Sequence, residues 1–256
     1  MLLDNDRLEK RPHVPELLNA GRELLLRVRF RRDRQQDNHD LVCVAGACLK
    51  AAEAATVAAE VADRLRLAIA AHETYSYQND QLLKVLLSRQ PEAVLDALFN
   101  GDMNGREAII DEFSCRIEDR SNPANEISSE DLISWCDKDR ETRYLLAASI
   151  VTFASHVEKG GPKVWSDQAQ SLFTHAPDPR RLLAVFLPRF RPSSWSGSRA
   201  ALMQANADLL DSLTSVVDVD DLEAIVKEAK DQLEREIARE RQWESKYNRI
   251  QYERFE

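Results

Sequence analysis

The chain has 256 residues, 43% of them hydrophobic and 31% charged, and carries a formal net charge of −9. That length and apolar content suffice for the core of one large domain or two small ones and argue against a disordered chain. The negative charge disfavours nonspecific nucleic-acid binding and an anionic membrane surface, since both need clustered cations.

Seven Gly and nine Pro are few for this length, and Ala, Leu, Glu and Arg are good helix formers, so an all-α fold is expected. The N-terminus, MLLDNDRLEKRPHVPE, carries acids early and lacks the apolar stretch of a secretory signal. No apolar run reaches the ~18 residues of a membrane span. Together these predict a cytoplasmic protein without a membrane partner. Cys43, Cys48, Cys115 and Cys136 fall in apolar helical runs and are expected as reduced, buried thiols.

In chain order, a first helix is expected from Pro15 into the basic stretch RVRFRRDR, followed by a polar break at QQDNHD and one long Ala-rich helix from Leu41 to about Ala71. LVCVA at 41–45 is the best strand candidate, but the Ala-rich run after it favours helix. Helices follow near 78–88, 91–100 and 104–119. SNPANEISSED interrupts the chain, and Ser128 or Ser129 can cap the next helix, which holds Leu132, Ile133, Trp135 and Cys136. The helix after it is expected from about Arg140 to Val157, ending at Lys159-Gly160-Gly161-Pro162. Trp165 to Thr174 and Pro179 to about Phe190 are the next two helices. Ser194 or Ser196 can cap a helix over 197–213. Asp218 or Asp220 can cap the last one, whose stripe of Leu222, Ile225, Val226, Ala229, Leu233 and Ile237 gives way to Trp243, Tyr247 and interleaved charges. Those charges read as a solvated face supported by i,i+4 pairs.

An apolar doublet, a polar gap with Pro or Asp and a second apolar run recur from residue 86 on. The doublets Leu86-Leu87, Leu132-Ile133, Leu172-Phe173 and Leu209-Leu210 start at steps of 46, 40 and 37 residues. Two helices with their turns need about that length, and HEAT and armadillo repeats run at ~40–47 residues. In LLSRQPEAVLDALF, LISWCDKDRETRYLL and LFTHAPDPRRLLAVF the chain resembles HEAT-type α-helical repeats over residues 78–230, and Asp139 with Arg143 is similar to the Asp and Arg that tie neighbouring repeats. The resemblance implies stacked antiparallel helix pairs, an α-solenoid-like fold, and by analogy a sensing or scaffolding part of a larger bacterial multi-protein or multidomain system. The expected division is an N-terminal helical segment over 1–76 and a helical-repeat domain with a charged C-terminal helix over 77–256.

Candidate chemistry is sparse. Cys43 and Cys48 have no second ligand pair at matched spacing, so core packing outweighs a metal site. His39, His72, His156 and His175 are scattered, without H-E-x-x-H. Ser196-Gly197-Ser198 lacks the full G-x-S-x-G pattern, and no phosphate-cradling Gly-rich loop occurs. Asp137 and Asp139, Asp218, Asp220 and Asp221, and Asp102 and Asp111 read as helix caps before acid–base pairs or cation ligands. No catalytic, cofactor or metal residue is therefore assigned. Two surfaces stand out. Arg189, Arg191, Trp195 and Arg199 crowd one loop with the residue types that anchor protein interfaces, against the plainer role of Trp195 as a plug between helix pairs. Arg27, Arg29, Arg31, Arg32 and Arg34 form the one basic patch that can meet an anionic partner, against the plainer reading of a solvated helix end. The expectation is a noncatalytic protein–protein interaction or scaffold module whose partner is another protein. The alternatives are a nucleic-acid-associated helical protein using the Arg27–Arg34 stretch, or an enzyme with a site of dispersed Asp and His residues.

Overall fold

The computed structural model describes residues 14–32, 35–114, 122–156, 163–192, 195, 197–219 and 221–253. The protein is all-α, as its composition predicts: twelve α-helices and one two-stranded sheet occur among the described residues. None of these helices is long and apolar enough to cross a membrane. The described residues divide into two compact units. One holds those up to Trp135 together with Ile150–Thr152; the other holds Cys136–Ser149 and those from Phe153 onward.

In the first unit, α1 (Val14–Leu25) carries Pro15 in its first turn, where the missing N–H breaks no helical bond. It stops at Leu25 rather than running through the basic stretch. The Arg27 N–H donates to the Leu24 carbonyl at 3.0 Å and the Val28 N–H to the Leu25 carbonyl at 3.3 Å, tightening the last turn. Residues 28–31 then lie outside any helix or strand, with Phe30 buried and Arg29 and Arg31 exposed. Charged and apolar residues alternate here with period two, which suits extended backbone and not a helix.

The single helix expected over 41–71 is two, α2 (Gln35–Cys48) and α3 (Ala55–Ala70), joined by a short 3₁₀ turn at Ala52–Ala54. The QQDNHD segment opens α2 instead of breaking the chain. Carbonyls released at the α2 end are captured by distant donors. Arg22 Nε donates to the Cys48 carbonyl at 3.0 Å, and Gln90 Nε2 donates to those of Leu49 and Ala51 at 2.9 and 3.0 Å. Helix α3 buries Ala58, Val61, Ala62, Leu65, Ala68 and Ile69, and its small residues let α4 (Ser76–Arg89), α5 (Pro91–Phe99) and α6 (Met103–Ser114) pack around it. Trp135 is buried here, donating from Nε1 to Asp96 Oδ1 at 2.7 Å beside the Phe99 ring.

Helices α7 (Ser129–Asp137) and α8 (Arg143–Ile150) follow. Ser128 caps α7, accepting from the Asp131 N–H at 3.0 Å. Helix α8 ends at Ile150, short of the expected Val157, because Val151, Thr152 and Phe153 lead into a strand. β1 (Ala154–His156) pairs antiparallel with β2 (Lys163–Trp165), Ala154 opposite Trp165. Trp165 thus closes a strand and does not open the next helix. Ser166 caps α9 (Asp167–His175) and Asp178 caps α10 (Pro179–Phe186). A 3₁₀ turn at Leu187–Phe190 follows. The core of the second unit is an aromatic cluster in which Trp165 meets Phe153, Phe173, Phe186 and Phe190 with ring centroids 5.6–6.1 Å apart. Helices α11 (Arg199–Val216) and α12 (Leu222–Glu253) form an antiparallel pair, α12 burying Leu222, Val226, Ala229, Leu233 and Ile237. Ser198 is the α11 cap; Ser194 and Ser196, and likewise Asp220 and Cys115, lie outside the described residues.

Candidate functional site

The loop singled out for its Arg and Trp content is held from within its own unit. Arg189 donates from Nη1 to the Ala148 carbonyl at 2.7 Å and lies over the Phe153 and Phe186 rings. Arg191 makes a bidentate pair with Glu236, Nε and Nη2 reaching the two carboxylate oxygens at 2.6 and 2.7 Å. Arg199 pairs with Glu240 at 3.3 Å, its guanidinium 4.8 Å from the Trp195 ring centroid. Glu244 accepts from Ser198 Oγ at 2.8 Å and from the Ala200 N–H at 3.1 Å. Glu236, Glu240 and Glu244 recur every fourth residue, so they form one stripe on α12 that fastens the loop and the start of α11. The hydrogen bonds from Arg191 hold the Glu236 carboxyl below its ordinary value, and the Ala200 N–H does the same for Glu244.

The three arginines are therefore spent on internal partners, and Trp195 is what the loop offers outward, 46% exposed. Further along α12, Trp243 and Tyr247 stack at 5.3 Å and are also exposed. The glutamate stripe was visible in the sequence at 236, 240 and 244; reading these charges as a solvated face missed that they cross to another element.

The basic stretch is arranged differently. Together with the C-terminal end of α3 it borders an open cavity of about 1240 Å³. Arg27, Arg29, Arg31, Arg32 and Arg64 line it, against one acid, Glu73. Leu26, Phe30, Leu67 and Ala68 supply apolar wall. Arg64 is anchored, donating to the Leu26 carbonyl and pairing with Glu60. Arg27 has a long, fully surface pair with Glu23 at 3.8 Å, worth little in water. Arg29 and Arg31 make no ion pair or side-chain hydrogen bond among the described residues. Arg32 lies 4.8 Å over the Tyr75 ring. Arg34 falls outside the described residues. Arg27 sits in the turn that closes α1, while Arg29, Arg31 and Arg32 lie beyond it and not in the helix expected there.

The α3 end is shaped by His72, which takes a left-handed conformation at φ 54°. The His72 N–H donates to the Ile69 carbonyl at 2.9 Å and the Glu73 N–H to that of Ala68 at 2.8 Å. This is the double bond pattern of a helix end that usually employs Gly, and it turns the chain back along the cavity rim toward Tyr75.

The remaining candidates are structural. Cys43 is exposed, not buried as expected, with Sγ 3.9 Å from His39 Nε2. Burial, then the neighbouring Asp137 charge, pushes the Cys136 thiol up to about 12, so it stays protonated and unreactive at neutral pH. Asp137 accepts from the Tyr144 hydroxyl at 2.9 Å and pairs with Arg140. Asp139 caps the turn into α8 and Asp102 the start of α6. His175 Nδ1 contacts the Ser171 carbonyl. Among the described residues no group of three or more His, Cys, Asp or Glu side chains is placed to hold a metal ion. Set against protein-family models, curated proteins and solved structures, the chain matches none of them.

Proposed function

We propose that this chain is a noncatalytic binding module that takes an anionic partner at the arginine-lined cavity of its first unit. One observation carries the reading: four arginines within residues 27–32 line an open cavity that holds a single acid, Glu73, and two of them, Arg29 and Arg31, make no ion pair among the described residues. Cations left uncompensated side by side repel one another, and a bound anion relieves that repulsion. The overall charge of −9 does not oppose this, because screening confines the field to about 10 Å at moderate salt and the local sign decides. Heparin serves as the probe. The wild-type protein is expected to be retained at about 50 mM salt and released by a salt gradient. The double variant Arg29→Glu with Arg31→Glu is expected to pass through. Equal retention of the two proteins, or no retention of the wild type, would refute the reading.

A protein contact at the second unit is the second reading. Trp195, in the loop before α11, and Trp243 and Tyr247 on α12 are half-exposed aromatics, and such residues anchor interfaces. Arg191→Ala would loosen the loop itself, so the informative variants are Trp195→Ala and Trp243→Ala. A partner captured from the native host should be lost with either change; capture that survives both removes this surface from consideration. The resemblance to stacked helical repeats belongs with this reading. The four doublets fall on α4, α7, α9 and α11, and the apolar runs after them on α5, α8, α10 and α12.

A further inference from the structure

We infer that the anion taken at this cavity is the backbone of a single-stranded nucleic acid, one of whose bases stacks on the Tyr75–Tyr77 pair. The inference rests on the anion-binding reading above and adds a second, independent feature to it. Tyr75 and Tyr77 lie parallel, their ring centroids 5.6 Å apart and their planes 12° from coplanar. Both are exposed, Tyr77 at 60%. The Arg32 guanidinium covers Tyr75, and Arg32 also lines the cavity. The cationic cavity and the aromatic pair thus share Arg32. That combination, cations for the phosphates and rings for the bases, is what sequence-tolerant single-strand binding needs.

The placement of the arginines fits the same ligand. Arg29 and Arg31 flank the buried Phe30, both exposed and both lining the cavity. A strand with phosphates in series can satisfy both at once and continue to Arg27. Double-stranded DNA is disfavoured, because its bases are already stacked and paired and cannot reach a platform beside the phosphate track. A phosphorylated peptide would use the arginines but leave the two exposed rings without a role.

The test is fluorescence anisotropy with three labelled probes of about twelve nucleotides at about 50 mM salt: oligothymidine, an abasic strand of the same length and charge, and a blunt duplex. An unlabelled phosphopeptide of matched charge competes in a fourth arm. The full chain should bind oligothymidine at least about fivefold more tightly than the abasic strand, and more tightly than the duplex. Tyr77→Ala should abolish the difference between the first two, and Tyr77→Phe should keep it. Arg29→Glu with Arg31→Glu should weaken all strands by tenfold or more. Equal affinity for the base-bearing and abasic strands overturns the nucleic-acid inference while leaving anion binding intact, as does stronger competition by the phosphopeptide. Retention on heparin without binding of any strand has the same meaning. Failure on heparin and on every strand removes both.

Discussion

Trp165→Ala is expected to destabilise the second unit by about 3–5 kcal/mol. The indole is 3% exposed and touches four phenylalanines that come from the residue before β1, α9, α10 and the 3₁₀ turn after it. Its Nε1 also donates to the Leu209 carbonyl on α11 at 2.8 Å. Truncation would leave a cavity that the four remaining rings cannot close, because their positions are set by four separate segments. Trp165→Phe should recover most of the packing and still cost about 0.5–1.5 kcal/mol for the lost hydrogen bond, since Ser212 Oγ goes on donating to the Leu209 carbonyl at 2.7 Å. Urea unfolding followed by near-ultraviolet circular dichroism measures both. An alanine variant within 1 kcal/mol of wild type, a bound well under the ~3 kcal/mol expected, would mean that the cluster does not organise the unit.

The second large effect concerns the fastening of α12. Arg191 and Glu236 form a bidentate, charge-assisted pair whose side chains are 27% and 29% exposed. A double-mutant cycle on Arg191→Ala and Glu236→Ala is expected to give a coupling of about 1–3 kcal/mol. Arg180 of α10 pairs with Glu228, also on α12, but the two side chains are 59% and 67% exposed. Their coupling should fall to about 0–1 kcal/mol, since water screens the pair and the side chains pay entropy to meet. Acid should expose the same contrast. Glu236 is held below its ordinary value in the fold, chiefly by hydrogen bonds from Arg191, and Glu244 by the Ala200 N–H. Their contribution is complete above the ordinary carboxylate value near ~4.3 and is lost as pH falls through the lowered folded values, where the unfolded chain takes up protons first. Wild-type stability should therefore fall on acidification through this range, and Glu236→Gln should flatten part of the fall. Equal couplings for the two pairs, or no change of acid dependence in Glu236→Gln, would sink the clamp.

What the sequence could foretell follows the range of the interactions involved. The cores of α4, α5 and α6 and the cap at Ser128 were legible, because a period of 3.6 and a capping hydroxyl act within one turn. The interruption between α2 and α3 was not, because its carbonyls are met by Arg22 and Gln90, 26 and 41 residues away from Cys48 and Leu49. The β1–β2 pair was hidden by its length, three residues being too few for alternation to register. RVRFR did alternate, but a run of cations after an amphipathic helix looks equally like a helix end, and only the burial of Phe30 separates the two. For the sites, residue type announced both arginine clusters and could not rank them. Arg191 meets an acid 45 residues on, whereas Arg29 and Arg31 meet none among the described residues, and that difference exists only in the fold.

The central claim is that the cavity beside residues 27–32 is where this protein takes an anion. The direct measurement is amide and arginine Nε–H chemical-shift mapping by NMR of the full chain during titration with sodium triphosphate. The account predicts saturable shifts confined to residues 27–32 and the 64–73 end of α3, with the Arg189–Arg199 loop unmoved. Shifts centred on that loop, or none that saturate near Arg29 and Arg31, would contradict it.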